Sequence, residues 1–228
     1  MDALQCARIG CLAVLQETPV QLMSSSFGHQ QPIPEEFAFC APDVVQHVRM
    51  SGNRNPHLRW TGVPSTARSL VLLCFDPDVP TRPDDVNKEG RLVPANLPRT
   101  DFFHWSMVDL APGLNEIAAG ACSDGIVPRG KQSPAGPVGS RQGINDYTNW
   151  FSGDPEMDGP YFGYDGPCPP WNDTLLHHYH FVLFATDLAR CPVDGAFTGP
   201  EVRRAIAGHV LAEARLTGTY SLNPSVAE

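Results

Sequence analysis

The chain has 228 residues, of which 42% are hydrophobic and 18% charged, and its net charge is −9. This is the composition of a globular domain rather than of a polar disordered chain. Only Arg203 and Arg204 are adjacent basic residues, so there is no basic face for nonspecific nucleic-acid or anionic-membrane binding.

The 23 prolines and 20 glycines call for many turns and long ordered loops, with little helix. Residues 1–18 read as an extension ahead of a single domain spanning 19–228. They carry Asp2 and Arg8 and lack the basic start and apolar run of a signal peptide. Met23 is an alternative start. No stretch reaches the ~18 uninterrupted apolar residues of a membrane span. A first strand is expected over residues 21–27. Residues 69–75 (SLVLLCF) form a continuous apolar run and predict a strand buried on both faces. Aromatic and β-branched residues predict strands over 102–110 (FFHWSMVDL) and 178–186 (HYHFVLFAT). The loops 76–101 and 111–172 are long. The second carries Trp150, Phe151, Tyr161, Phe162, Tyr164 and Trp171, enough aromatic surface to fold against the body.

One helix is well signalled. Thr198 and Glu201 have capping-box spacing, and Pro200 suits the first turn. Val202, Ile206 and Val210 recur every four residues as one apolar stripe. Gly218 marks the exit, and residues 217–222 are expected to form a last strand. The seven cysteines (Cys6, Cys11, Cys40, Cys74, Cys122, Cys168 and Cys191) are odd in number and make no C-x-x-C pair. They predict reduced thiols and a cytoplasmic location.

Several residues are candidates for chemistry. Asp76-Pro77-Asp78-Val79-Pro80 follows the buried strand. Its two carboxylates suit an acid/base pair, a metal clamp or an amine acceptor, against a plain alternative of turn capping. His104 lies mid-strand among aromatics, where a hydrogen-bonded core histidine is the plain alternative. In His177-His178-Tyr179-His180, strand alternation puts His177 and Tyr179 on one face and His178 and His180 on the other. The first pair offers polar donors to a pocket, and the second is an H-x-H metal clamp candidate. Gly166-Pro167-Cys168 precedes that strand in a stiff Gly/Pro loop suited to an anion nest. Cys168, flanked by prolines, lacks the setting of a nucleophile. GxSxG, phosphate-loop and GxGxxG motifs are absent from the sequence.

Taken together, NPHLRWTGVP (55–64), LVLLCFDPDVP (70–80), FFHWSMVDL (102–110), GINDY (143–147), YFGYDGPCPP (161–170), HHYHF (177–181) and GHVLAEARLTGTY (208–220) resemble the phosphatidylethanolamine-binding family, in its bacterial, Raf-kinase-inhibitor-like branch. The resemblance implies a mainly β fold: a large antiparallel sheet, a smaller second sheet and a C-terminal helix. It also implies a shallow pocket for phosphate-like anions or phosphoethanolamine and phospholipid head groups. Asp76, Pro77, Asp78 and Pro80 match the family's DPDxP wall, and His104 its strand-borne histidine. Gly166, Pro167 and Cys168 match its Gly/Pro loop, and His177 and Tyr179 its H-x-Y. The chain departs from the pattern at His178, where a basic residue is usual, and in the long insertion 82–101.

The expected function is therefore non-enzymatic small-ligand binding without a cofactor, with a protease- or kinase-inhibitor-like role toward an unidentified protein as a further implication. The rival is a metal-dependent enzyme built on His178 and His180. His104, His177, Asp76 and Tyr179 are expected to converge on one cavity. Anion binding there should strengthen as pH falls from about 8 towards about 6, as imidazoles near the ~6.5 reference gain charge. A homodimer through Trp150 and Phe151 is also expected.

Overall fold

A computed structural model describes residues 19–226. Residues 1–18, with the expected extension, Cys6 and Cys11, lie outside the described residues. The strands in chain order are β1 (Gln21–Met23), β2 (Gln31–Pro32), β3 (Cys40–Asp43), β4 (His47–Met50), β5 (Leu58–Thr61), β6 (Ser69–Pro80), β7 (Arg99–Leu110), β8 (Glu116–Ile117), β9 (Arg141–Gln142), β10 (His177–Thr186) and β11 (Val210–Tyr220). Among the described residues, two short α-helices, α1 (Tyr147–Trp150) and α2 (Gly199–Ala205), and a 3-10 turn at Glu35–Phe37 interrupt them.

The main sheet has the order β2-β11-β10-β6-β7-β9. It is antiparallel except for β2, which runs parallel to β11. A three-stranded sheet β1-β5-β8 and the hairpin β3-β4 complete the β structure. The expected mainly β class, with one large and one smaller sheet, is the observed one.

The centre of the sheet follows from the sequence. Residues 70–74 of β6 are buried on both faces because an apolar cluster lies on each side. One cluster contains Leu72, Trp105, Phe181 and Tyr164, and the other Val71, Leu73, Phe103 and Val202. At 25 cal/mol per Å², each such large buried side chain contributes about 1.5–3 kcal/mol.

Several boundaries differ from expectation. The first strand ends at Met23 rather than residue 27. Asp76 to Pro80 continue β6 instead of leaving it, with a register shift between Asp76 and Val79 absorbing the prolines. The helical stripe also overreached. Thr198 N–H donates to Glu201 Oε2 at 2.8 Å, as capping-box spacing requires, and Val202 and Ile206 are buried. However, α2 ends at Ala205, Gly208 takes φ +81°, and Val210 opens β11. A positive φ at glycine turns the chain out of the helix, so Val210 matched the period by coincidence. The last strand, expected over residues 217–222, is thus present but begins seven residues earlier and runs for eleven residues.

The cysteine expectation is corrected as well. Cys40 on β3 is disulfide-bonded to Cys168 across a sequence separation of 128. Partners so far apart leave no spacing signature. Cys74, Cys122 and Cys191 are free and buried, and burial pushes each thiol up, Cys122 and Cys191 to about 11. Among the described residues, no helix is long and apolar enough to cross a membrane.

Candidate functional site

A cavity of about 390 Å³ opens where β6, β7 and β10 meet the two long loops. Asp76, His104 and Tyr179 line it, with Phe102, Tyr147 and Asp146 beside them. Alternation explains the selection: on β10, His177 and Tyr179 point to the buried side, while His178 and His180 are half-exposed on the other.

His104 is held from behind. Its Nδ1 lies 2.8 Å from the carbonyl of Asp165, which can only accept, so Nδ1 carries the proton. Nε2 is then the acceptor, and among the described residues no hydrogen bond reaches it. Burial lowers the His104 pKa, against the opposing charge of Asp76. The Asp165 carboxylate is itself anchored by Asn53 at 2.7 Å, Lys131 at 2.7 Å and Asn145 at 2.8 Å. Tyr179 is fully buried, and its hydroxyl is raised well above 10, first by burial and then by Asp76.

His177 does not reach the cavity wall. Its Nδ1 meets Asp76 Oδ2 at 2.6 Å and its Nε2 meets Asp173 Oδ2 at 3.1 Å. Arg99 grips the same Asp173 carboxylate at 2.5 and 3.1 Å. Burial opposes charge on His177, but the Asp76 charge and the hydrogen bonds to Asp173 and Asp76 outweigh it and bring the ring to about 9. The imidazolium is therefore a buried counter-ion for Asp76, with neither nitrogen left for a ligand. The expectation of two imidazoles titrating on one anion is corrected: one is raised by carboxylates and the other lowered by burial.

The Gly/Pro loop also does something other than expected. The Gly166 N–H donates to Asn53 Oδ1 at 2.8 Å, and its carbonyl accepts from the Tyr147 hydroxyl at 2.8 Å. A Cβ at Gly166 would sit 2.1 Å from the Phe37 carbonyl oxygen, so glycine is required by the packing of two backbones and not by an anion nest. The Pro167 carbonyl accepts from Phe39 and Cys40 N–H. Of this loop, Cys168, Pro169 and Pro170 reach the cavity, with the Cys168 sulfur in the disulfide and no thiolate to offer.

Of the DPDxP residues, Asp76, Val79 and Pro80 line the cavity. Asp78 N–H donates to Asp76 Oδ1 at 2.8 Å, the turn-capping bond. The Asp78 carboxylate faces away, 2.9 Å from His178 Nδ1. His180 Nδ1 lies 2.9 Å from Thr217 Oγ1 and its ring edge meets Phe75. The H-x-H pair is thus committed to different partners outside the cavity, and among the described residues no three His, Cys, Asp or Glu are grouped to hold a metal ion.

Sequence reasoning missed Asp146, Asp173 and Asn172. Asp146 Oδ2 accepts the Phe103 N–H at 2.7 Å, and among the described residues no hydrogen bond reaches Oδ1. Burial, then the Phe103 bond in opposition, then Asp101, leave its pKa raised. GINDY carried Asp146 in plain view, but loop residues have no periodicity to mark them. Trp150 is half-exposed at the cavity rim, whereas Phe151 packs inward against Tyr147 and Tyr161.

The family model described as phosphatidylethanolamine-binding protein matches residues 23–221. A UPF0098 protein of Chlamydia muridarum is 30% identical over 201 residues, covering 88% of this chain and 98% of its own. One from Pyrococcus abyssi is 30% identical over 212 residues, covering 93% and 90%. Among solved structures, a phosphatidylethanolamine-binding protein homologue from Chlamydia trachomatis aligns with TM-score 0.57 at 25% identity, over 89% of this chain and 97% of that one. YbcL of Escherichia coli aligns with TM-score 0.65 at 24% identity, over 90% and 99%, and supports the fold.

Proposed function

The chain belongs to the phosphatidylethanolamine-binding protein family, and from that premise we propose that its cavity binds a small zwitterionic head group of the phosphoethanolamine type. The observation that carries this reading is a pair of unengaged atoms on one cavity: the Nε2 of His104 and the Oδ1 of Asp146. The other charged groups on the wall are already compensated, Asp76 by His177 and Asp101 by Arg203. An ammonium suits Asp146, whose raised pKa would fall on pairing. A phosphate suits His104, which turns from acceptor to donor on taking a proton, with Tyr179 as a hydroxyl donor. Lysine and arginine are absent from the lining, which favours the zwitterion over a bare anion.

The role we read is that of a binder and regulator, a reading supported by the burial and raised pKa of the Cys74, Cys122 and Cys191 thiols. A disulfide persists in oxidising surroundings, so the Cys40–Cys168 bond favours such a compartment over the reducing cytoplasm that the cysteine count suggested.

Calorimetric titration tests the reading. Phosphoethanolamine should bind wild type more tightly than phosphate or ethanolamine alone. His104→Gln and Asp146→Asn should each weaken it about tenfold, and wild-type affinity should rise as pH falls below 6.5. Equal affinity in all three proteins would refute it.

A further inference from the structure

The cavity is roomier than a head group of a few heavy atoms requires. At about 390 Å³ it falls in the ~300–1,000 Å³ range of sites that enclose drug-sized molecules. The surplus wall is largely apolar and comes from two sides. Trp150, Pro169 and Pro170 form one side, and Pro83, Val86 and Asn87, from the segment between β6 and β7, form the other.

That second side has almost no core of its own. Of residues 81–98, Val93 alone is buried, and Arg82, Asp84, Lys88, Glu89 and Arg91 are exposed. One side chain makes most of the bonds that hold the segment, beside the His47–Glu89 contact at 2.6 Å, the Thr174 bonds to the Val93 carbonyl at 2.9 and 3.0 Å and the Arg99 bond to the Pro94 carbonyl at 2.8 Å. Asn172, 2% exposed, donates through Nδ2 to the carbonyls of Asp85 at 2.8 Å and Arg91 at 3.0 Å, with Lys88 at 3.3 Å. Its Oδ1 accepts the Asn87 N–H at 3.0 Å, and its carbonyl accepts the Val93 N–H at 3.0 Å. Asn87 answers by accepting the Trp171 N–H at 3.0 Å. A segment tied mainly by polar bonds to one buried amide, with Val93 its one buried residue, has low local stability and a geometry that depends on that amide.

We infer that residues 83–93 form a strap, fixed in place by Asn172, whose inner side is the specificity-determining wall for an apolar moiety carried on the head group. The preferred ligand is then an amphiphile and not the free head group, and Asn172 is a positioning residue that touches no ligand. This builds on the head-group reading above, and the experiment separates the two.

Full-length wild type, Asn172→Ala and Val86→Ser are titrated with phosphoethanolamine, with monomeric dihexanoyl phosphatidylethanolamine and with the neutral fluorescent reporter N-phenyl-1-naphthylamine. Val86→Ser leaves every Asn172 bond intact and so decides the matter if Asn172→Ala does not fold. The wild type should bind the amphiphile at least tenfold more tightly than phosphoethanolamine. Both variants should lose at least fivefold of that preference while keeping phosphoethanolamine affinity within twofold. A proportionate loss for both ligands would reduce the strap to a structural element and overturn the inference, as would a wild type that shows no preference. If wild type binds neither ligand, the head-group reading fails alone, and the reporter decides the strap. Saturable reporter binding that weakens at least fivefold in the variants upholds it, and unchanged or absent reporter binding overturns it.

Discussion

The two faces of β10 carry the same chemistry to different ends. His177 and Tyr179 are buried, and His177 is clasped between Asp76 and Asp173. One residue along, His178 is half-exposed and meets Asp78 at 2.9 Å. Both are histidine–aspartate pairs of similar length. What separates them is water: inside, removing one partner strands a charge that nothing else can solvate, while outside, solvent replaces the partner.

The largest break in that comparison should come from His177→Ala. It leaves Asp76 and Asp173 facing each other in the interior and is expected to cost about 3–5 kcal/mol in urea unfolding. A loss under about 1 kcal/mol would mean the interior pair is solvated like the outer one. Next, Cys40→Ala with Cys168→Ala should cost about 2–4 kcal/mol, because the bond closes a long loop and ties the cavity's proline wall to β3. Reduction of wild type by dithiothreitol should match it. A double variant melting with the oxidised wild type would contradict this.

The pH dependence sharpens the contrast, because the two faces carry opposite signs. His177 has its pKa raised to about 9. Its contribution is therefore complete below the unfolded value of about 6.5 and is lost as pH rises through 9, a fall on the order of 3–4 kcal/mol. His180 is lowered, first by burial and then by Arg215. The unfolded chain takes up its proton first, so stability falls as pH drops below about 6.5. Thermal unfolding from pH 5 to 10 should give a dome. His177→Asn should flatten its alkaline limb, and His180→Asn its acid limb by less. A wild-type curve still rising above pH 9 would invalidate the assignment. Smallest of all, His178→Ala should change stability by no more than ~0–1 kcal/mol.

Much of this was legible in advance where periodicity operates. The run from Ser69 to Phe75 could only be a doubly buried strand, and alternation placed His177 and Tyr179 together before any coordinates. Periodicity failed where it had too few residues to speak: three apolar positions at 202, 206 and 210 fit a helix, yet Gly208 ended it. Cys168 and the carboxylates of Asp146, Asp165 and Asp173 sit in irregular segments, where position is set by long-range contacts, so neither the bond from Cys168 to Cys40 on β3 nor the carboxylate positions left a periodic signal. Asn53 and Asn172 look like ordinary turn residues in the sequence because their role lies in what reaches them from residues 85–166. The division of labour among the motif residues, with His104 at the wall and His177 behind it, left no signal in the sequence.

The placement of β10 has a consequence for how the chain is made. β6 lies between β7 and β10, and β10 between β6 and β11. As the polypeptide leaves the ribosome, β6 and β7 can pair at once, but the strand that covers the other edge of β6 begins almost a hundred residues after Pro80. Through that interval the apolar edge Leu70–Val71–Leu72–Leu73–Cys74–Phe75 is a template for any passing strand, including the same segment of a neighbouring nascent chain. Slower elongation prolongs the hazard, and lower temperature weakens the hydrophobic drive behind it. A strand buried on both faces in the finished protein is thus left with an open edge during synthesis.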